Sequence, residues 1–114
     1  MEFKKEFIEK LKTAKKIVFF TGAGISAESG IATFRGADGI WTKMNPEELA
    51  NFDAFMRNPK LVLEWYQHRR EIINNCQPNK AHTAIAELEK YFDVTVVTQN
   101  IDNLHQRAGS TKVF

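Results

Sequence analysis

The stretch TGAGISAESGIATFRG, residues 21–36, decides how this chain is read. It follows a short apolar run, Ile17-Val18-Phe19-Phe20, and carries little that is bulky before Phe34. Such a continuous apolar run suits a strand buried on both faces of a parallel sheet. The small residues behind it let backbone come close to another group. Gly22-Ala23-Gly24-Ile25-Ser26-Ala27 satisfies G-x-G-x-x-G/A, in which glycines permit a tight turn and close approach to a pyrophosphate. Amides at the start of the next helix would then face the ligand's negative charge. An ordinary strand-to-helix turn fits the same pattern, and spacing alone does not choose between them. No Gly-Lys-Ser/Thr follows, so this is not a P-loop. A second strand about twenty residues on, ending in an acid for the ribose, is also missing, which makes an ordinary hydride-transferring Rossmann enzyme a poor match.

Working outward, Phe3, Phe7, Ile8, Leu11 and Ala14 recur at helical spacing among lysines and glutamates, which predicts an amphipathic helix before the strand. Downstream, Asn45-Pro46-Glu47-Glu48 and Asn58-Pro59 each read as a cap followed by proline in the first turn. The second signal opens a longer helix over about residues 60–75. Pro78-Asn79 introduces another, through His82, Ile85, Leu88 and Tyr91. Asp93-Val94-Thr95-Val96-Val97-Thr98 is a second β-branched strand. Gln99 to Asp102 then form a loop, and Asp102 is placed to cap a short helix that ends at Ala108, with Gly109 behind it. Strands alternating with helices predict an α/β fold, a Rossmann-like parallel sheet. Residues 40–75 are too many for a simple crossover and read as a small helical insertion. The sequence stops at Lys112-Val113-Phe114, which resembles the first half of a strand, so a C-terminally truncated fold is expected.

Composition narrows the class without choosing within it. Of 114 residues, 43% are hydrophobic and 26% charged, which sets one ordinary globular domain. A net charge of +2, with both signs interspersed, gives no argument for nucleic acid. The single cysteine, Cys76, excludes an internal disulfide and a multi-cysteine zinc site within these residues. It fits a reducing, cytoplasmic setting. No signal-peptide h-region and no run of membrane-spanning length is seen, so no membrane partner is expected.

In an open parallel sheet, ligands bind at the carboxyl ends of the strands. The glycine loop and Gln99-Asn100-Ile101-Asp102 both sit at such ends. Amide and carboxylate groups there can hydrogen-bond ribose hydroxyls or a carboxamide. Taken alone, the second segment reads as a turn plus a helix cap. Together, residues 22–31, Phe34-Arg35-Gly36, Thr98-Gln99-Asn100-Ile101-Asp102, Asn103-Leu104-His105 and Ala108-Gly109 resemble the sirtuins, the NAD-dependent protein deacylases. The likeness runs from about Lys15 to the end and makes the chain the N-terminal part of a sirtuin-type catalytic domain. Ala32 departs from it, because many relatives have proline there.

The resemblance implies roles. Gly22, Ala23, Gly24 and Ser26 would cradle the phosphates of NAD, with Ala27, Glu28 and Trp41 also among the cofactor-binding residues. Phe34 would shield the reactive ribose carbon, and Arg35 would order the cofactor loop. Gln99 and Asn100 would contact the ribose, and Ile101 with Asp102 the nicotinamide carboxamide. The acyl oxygen of a modified lysine would displace nicotinamide. The general-base histidine of the family is expected just beyond Phe114, and zinc-binding cysteines further on; neither belongs to these residues, so the chain alone is expected to be inactive and marginally stable. His68, His82 and His105 are not substitutes: the first falls on an outer helix face, and the other two read as structural.

Val62, Tyr66, Arg69 and Ile73 share one helix face, which sets a cation in a mainly apolar stripe. A guanidinium there can snorkel to solvent or pair with an acid. Tyr66-Gln67-His68-Arg69, together with Ala37 in Phe34-Arg35-Gly36-Ala37-Asp38-Gly39-Ile40-Trp41, is similar to the sirtuin subgroup that removes succinyl and malonyl groups. There a small Ala37 leaves room for the acyl chain, and Arg69 with Tyr66 would bind its carboxylate. The readings carried forward are therefore an NAD-dependent deacylase acting on acylated lysines of proteins, a partial NAD or ADP-ribose-binding module, and a redox enzyme. An ADP-ribosyl transferase is a variant of the first, told apart by its products.

Overall fold

A computed structural model describes residues 1–33 and 50–114. Two strands, β1 (Lys16–Thr21) and β2 (Asp93–Thr98), pair in parallel. Their ladder is flush: Lys16 stands beside Asp93 and Thr21 beside Thr98, six pairs with no offset. Val113 adds a parallel bridge to Val96 on the other side of β2. β2 is therefore the middle strand among the described residues. That accounts for the burial of Val94 and Val96, which are 2% and 0% exposed. Burying each such side chain contributes about 1.5–3 kcal/mol.

The core at this sheet is one-sided. Ile85, Val94 and Val96 pack with Phe19, Ile25, Leu88, Phe92 and Val113. β1 alternates, and Val18 and Phe20 are 66% and 73% exposed. The expectation of a strand buried on both faces is corrected here: the apolar run was read rightly as a strand, but among the described residues only the face carrying Ile17 and Phe19 is covered. Helix α1 (Lys5–Thr13) forms as its periodicity predicts, with Glu6 in its first turn and Lys10 and Lys12 in its last, which suits the helix dipole. No α1 residue is buried.

β1 runs through Gly22 into the short helix α2 (Ala23–Ser26), and a 3₁₀ turn, Ala27–Ser29, follows. Gly30 ends that turn at φ 96°, in the left-handed region that favours glycine. Helices α3 (Phe52–Arg57) and α4 (Pro59–Asn75) come next. Asn51 accepts from the Ala54 amide at 2.7 Å, and Asn58 from Leu61 at 3.2 Å, so each helix starts on an asparagine cap. The start signal read at Asn45-Pro46 lies outside the described residues. α4 joins two clusters. Near its start Val62 packs with Ala54 and Trp65; near its end Ile73 packs with Ile31, Leu104 and Cys76. α5 (Lys80–Glu87) passes into a 3₁₀ turn at Leu88–Lys90, which carries Tyr91 off the apolar face to 77% exposure. α6 (Leu104–Ala108) ends at Gly109, φ 110°. Among the described residues no helix is long and apolar enough to cross a membrane.

Candidate functional site

The flush register brings the two loops out at one level. β1 ends at Thr21 and β2 at Thr98, and the Gln99 amide continues the ladder by donating to the Thr21 carbonyl at 3.1 Å. Gly22 and Gln99 therefore meet side by side. A Cβ on Gly22 would lie 2.7 Å from Gln99 Nε2, so any larger residue there must push the end of that side chain aside. Gly24 differs: a Cβ there would meet nothing within 4 Å. Nothing in the described fold asks for its smallness, and the space beside it is open to a ligand.

Beneath these glycines lies a buried polar network. Ser26 is fully buried, and its hydroxyl donates to Asp102 Oδ2 at 2.9 Å. The other Asp102 oxygen accepts from the Leu104 amide at 3.1 Å. Asn100 Nδ2 donates to the Gly22 carbonyl at 2.9 Å and to Ser26 Oγ at 3.4 Å. Asn79 Nδ2 donates to the Ile25 carbonyl at 2.7 Å and to Ser29 Oγ at 3.0 Å. The two loops are thus fastened by side chains from β1's loop, β2's loop and the start of α5.

His82 completes the network, and its tautomer follows from its partners. Its Nδ1 accepts from the Asn79 amide at 3.2 Å, closing a capping box with Asn79 Oδ1, which accepts from Ala81. The ring proton is then on Nε2, which points to Ser26 Oγ at 3.5 Å. His105 lies against it edge to face, with ring centroids 5.0 Å apart. His105 Nε2 meets Thr21 Oγ1 at 2.9 Å, and its Nδ1 is buried without a partner. A proton on Nε2 leaves Nδ1 as an orphan acceptor, which is less costly than an orphan N–H. Burial lowers both pKa values. For His82 the neighbouring His105 lowers it further and Asp102 partly offsets this; for His105, Asp102 opposes the burial. Both histidines are buried within this network, and His68 lies exposed on α4.

A cavity of about 80 Å³ opens beside the network. Its lining includes Ala23, Ile31, Gln99, Asn100, Ile101 and Asp102. Arg69 and Ile73 of α4 also line it. The Arg69 guanidinium is half-buried, with its carbon 5.3 Å from the centroid of the Trp65 ring. Burial lowers its pKa, and Tyr66 nearby partly restores it. Tyr66 itself is 40% exposed and lines a separate cavity with Phe52, Phe55 and Leu63. Of the residues singled out from sequence, the structure gathers Gly22, Ala23, Gly24, Ser26, Gln99, Asn100, Ile101, Asp102 and Arg69. Ala27 and Glu28 face solvent on the 3₁₀ turn. Phe34, Arg35, Ala37 and Trp41 lie outside the described residues. Asn79, which binds both the glycine loop and His82, was read from sequence only as a helix start.

A parallel pair with its polar loops gathered at the carboxyl ends is the arrangement of open α/β folds that bind ligands at strand ends. The Sir2 family profile matches residues 22–114. The chain belongs to the Sir2 family. It is 60% identical over 107 residues to NAD-dependent protein deacylase 1 of Caldanaerobacter subterraneus subsp. tengcongensis, covering 93% of this chain and 44% of that protein. The NAD-dependent protein deacylase of Aquifex aeolicus is 59% identical over 99 residues, covering 86% and 41%. Among solved structures, a mutant Sir2 homologue–ADP ribose complex superposes at a TM-score of 0.91 and 50% identity, over 97% of this chain and 45% of that one. A Sir2 homologue–NAD complex superposes at 0.84 and 50% identity, over 98% and 44%. The chain spans less than half the length of the relatives it matches.

Proposed function

We propose that these residues form the nicotinamide and acyl-lysine side of an NAD-dependent protein-lysine deacylase with a preference for succinyl or malonyl groups. The observation that carries the reading is the convergence of the two strand-end loops on Ser26, Asn100 and Asp102, beside the open space at Gly24. The fit to NAD is a fit to part of it. The cavity is about 80 Å³, whereas pockets that enclose a whole ligand run to roughly 300–1,000 Å³. Deacylase relatives and the NAD and ADP-ribose complexes of Sir2 homologues support the assignment.

When bound, NAD supplies a ribose carbon whose bond to nicotinamide can be broken and passed to an acyl oxygen. Gly22, Ala23 and Gly24 would take the phosphates, with Gly24 leaving them room. Gln99 and Asn100 would face the ribose, and Ile101 with Asp102 the carboxamide. Asp102 is held on both oxygens, by Ser26 and by the Leu104 amide, so its orientation is set before any ligand arrives. Asn100 is likewise anchored through Gly22. Such positioning suits a reaction that develops positive charge on the sugar and needs orientation and exclusion of water more than a strong nucleophile. Phe34, Arg35 and Trp41 belong to the same proposal by resemblance, as do a general-base histidine beyond Phe114 and a zinc module.

Arg69, which lines the same cavity as Asp102, supports the acyl preference. A succinyl or malonyl group ends in a carboxylate, which a guanidinium fork binds by charge-assisted hydrogen bonds; an acetyl group offers none. The test uses the full-length protein. Nicotinamide release is measured with matched succinyl- and acetyl-lysine peptides, and product masses distinguish deacylation from ADP-ribosyl transfer. A kcat/KM ratio that favours succinyl and collapses in Arg69→Met supports the reading, and a ratio unchanged in the variant refutes it.

A further inference from the structure

We infer that Trp65 is a specificity-positioning residue: its indole face holds the Arg69 guanidinium at the cavity wall, and so sets how strongly a carboxylate-ended acyl chain is preferred. The inference rests on the carboxylate-binding reading of Arg69 and deepens it. Trp65 and Arg69 are four residues apart on α4, so their side chains meet on one face. The guanidinium carbon stands 5.3 Å from the indole centroid, within cation–π range. Trp65 is itself anchored: it packs against Ala54 of α3 and Val62 of α4, and meets Tyr66 edge to face at 4.8 Å. A free arginine side chain has many rotamers, and binding an anion must freeze them. A ring fixed from behind by the helix-pair core confines the guanidinium in advance. It also shields one flat face of the guanidinium from water. The half-buried state of Arg69 and the apolar residues Ile31 and Ile73 in the same cavity lining strengthen any charge-assisted bond formed there.

Trp65 touches no reacting atom, so its removal should change selectivity rather than chemistry. Calorimetric titration of the full-length protein with succinyl- and acetyl-lysine peptides, without NAD, reads this directly. Trp65→Leu keeps apolar packing against Ala54 and Val62 but removes the π face. The succinyl-to-acetyl affinity ratio should fall roughly two- to fivefold, the size of an exposed to partly shielded cation–π contact. Trp65→Phe should keep the ratio within about twofold of the parent, because a π face remains. Biosynthetic replacement of tryptophan by fluorinated analogues keeps the shape and drains the ring face, so the ratio should fall stepwise with fluorine count. This arm holds even where Trp65→Leu fails to fold, and the acetyl peptide controls for effects at Trp41. An unchanged ratio across the fluorinated series, or equal weakening of both peptides in Trp65→Leu, would overturn the inference. A ratio unmoved by Arg69→Met would instead refute the carboxylate reading on which it stands.

Discussion

Acidification should unfold this protein through one buried pair. His82 and His105 are 0% and 1% exposed, lie 5.0 Å apart, and are held neutral by burial. Unfolding returns each to an ordinary histidine near pH 6.5. Both folded values are lowered, so the unfolded chain binds more protons as the pH falls. The pair's contribution to stability is therefore complete above about pH 6.5. It is lost progressively below that value and stops falling only at the lowered folded values. Each histidine that is protonated only on unfolding adds a slope of about 1.4 kcal/mol per pH unit, so the two together approach about 2.7. Asp93 does not confuse this window. The hydrogen bond from Lys112, then the charges of Lys112 and Lys16, holds its carboxyl below the ordinary range. Urea unfolding from pH 7.5 to 5 measures the slope. His82→Gln is the informative variant, because glutamine at the third helical position can still accept from the Asn79 amide and keep the capping box. Its slope should drop by about half, to roughly 1.4 kcal/mol per pH unit. A variant slope equal to that of the parent, or a parent more stable at pH 5 than at pH 7, would refute the reasoning.

Further expectations follow from the loops. Gly24→Ala meets open space, so thermal stability should hold or rise slightly, by up to about 1 kcal/mol for alanine over glycine in a helix, while calorimetry shows NAD binding weakened. Gly22→Ala should displace only the end of Gln99, and therefore also weaken NAD more than it lowers the melting temperature. Gly109→Ala forces a side chain to φ 110°, and should cost on the order of 1–2 kcal/mol in denaturant melts with little effect on ligand affinity. Ser26→Ala strands Asp102 Oδ2 and should cost about 1.5–3 kcal/mol, the value of a hydrogen bond to a charged group. A loss below 0.5 kcal/mol would show that water replaces the hydroxyl freely.

Much of the fold was legible because its signals are local. Asp93–Thr98 was read with its observed bounds, and Asn58-Pro59 marked the start of α4. Both carry their cause in adjacent residues, β-branching in one and a cap with proline in the other. The sidedness of β1 was not legible, since an apolar run states what a strand can bury and not what covers it. The family signature placed Gly22, Gly24, Gln99 and Asp102 at one site. It did not show that Gly22 and Gly24 are small for different reasons, one for a neighbouring side chain and one for open space. The Ser26–His82–Asn79 connection was equally hidden. It joins residues more than fifty positions apart, and helix-start chemistry explained Asn79 and His82 well enough locally. Arg69 read as a cation in an apolar stripe, and its stacking on Trp65 shows how the helix tolerates it.

The unshifted pairing of β1 with β2 turns strand length into a gauge. Each strand measures six residues from a common baseline, and each delivers its loop at the same height. Dropping one residue from either strand would lower one loop by about 3.3 Å and rotate its first side chain to the opposite face of the sheet. Every named group would survive such a deletion, and the two half-sites would still no longer meet.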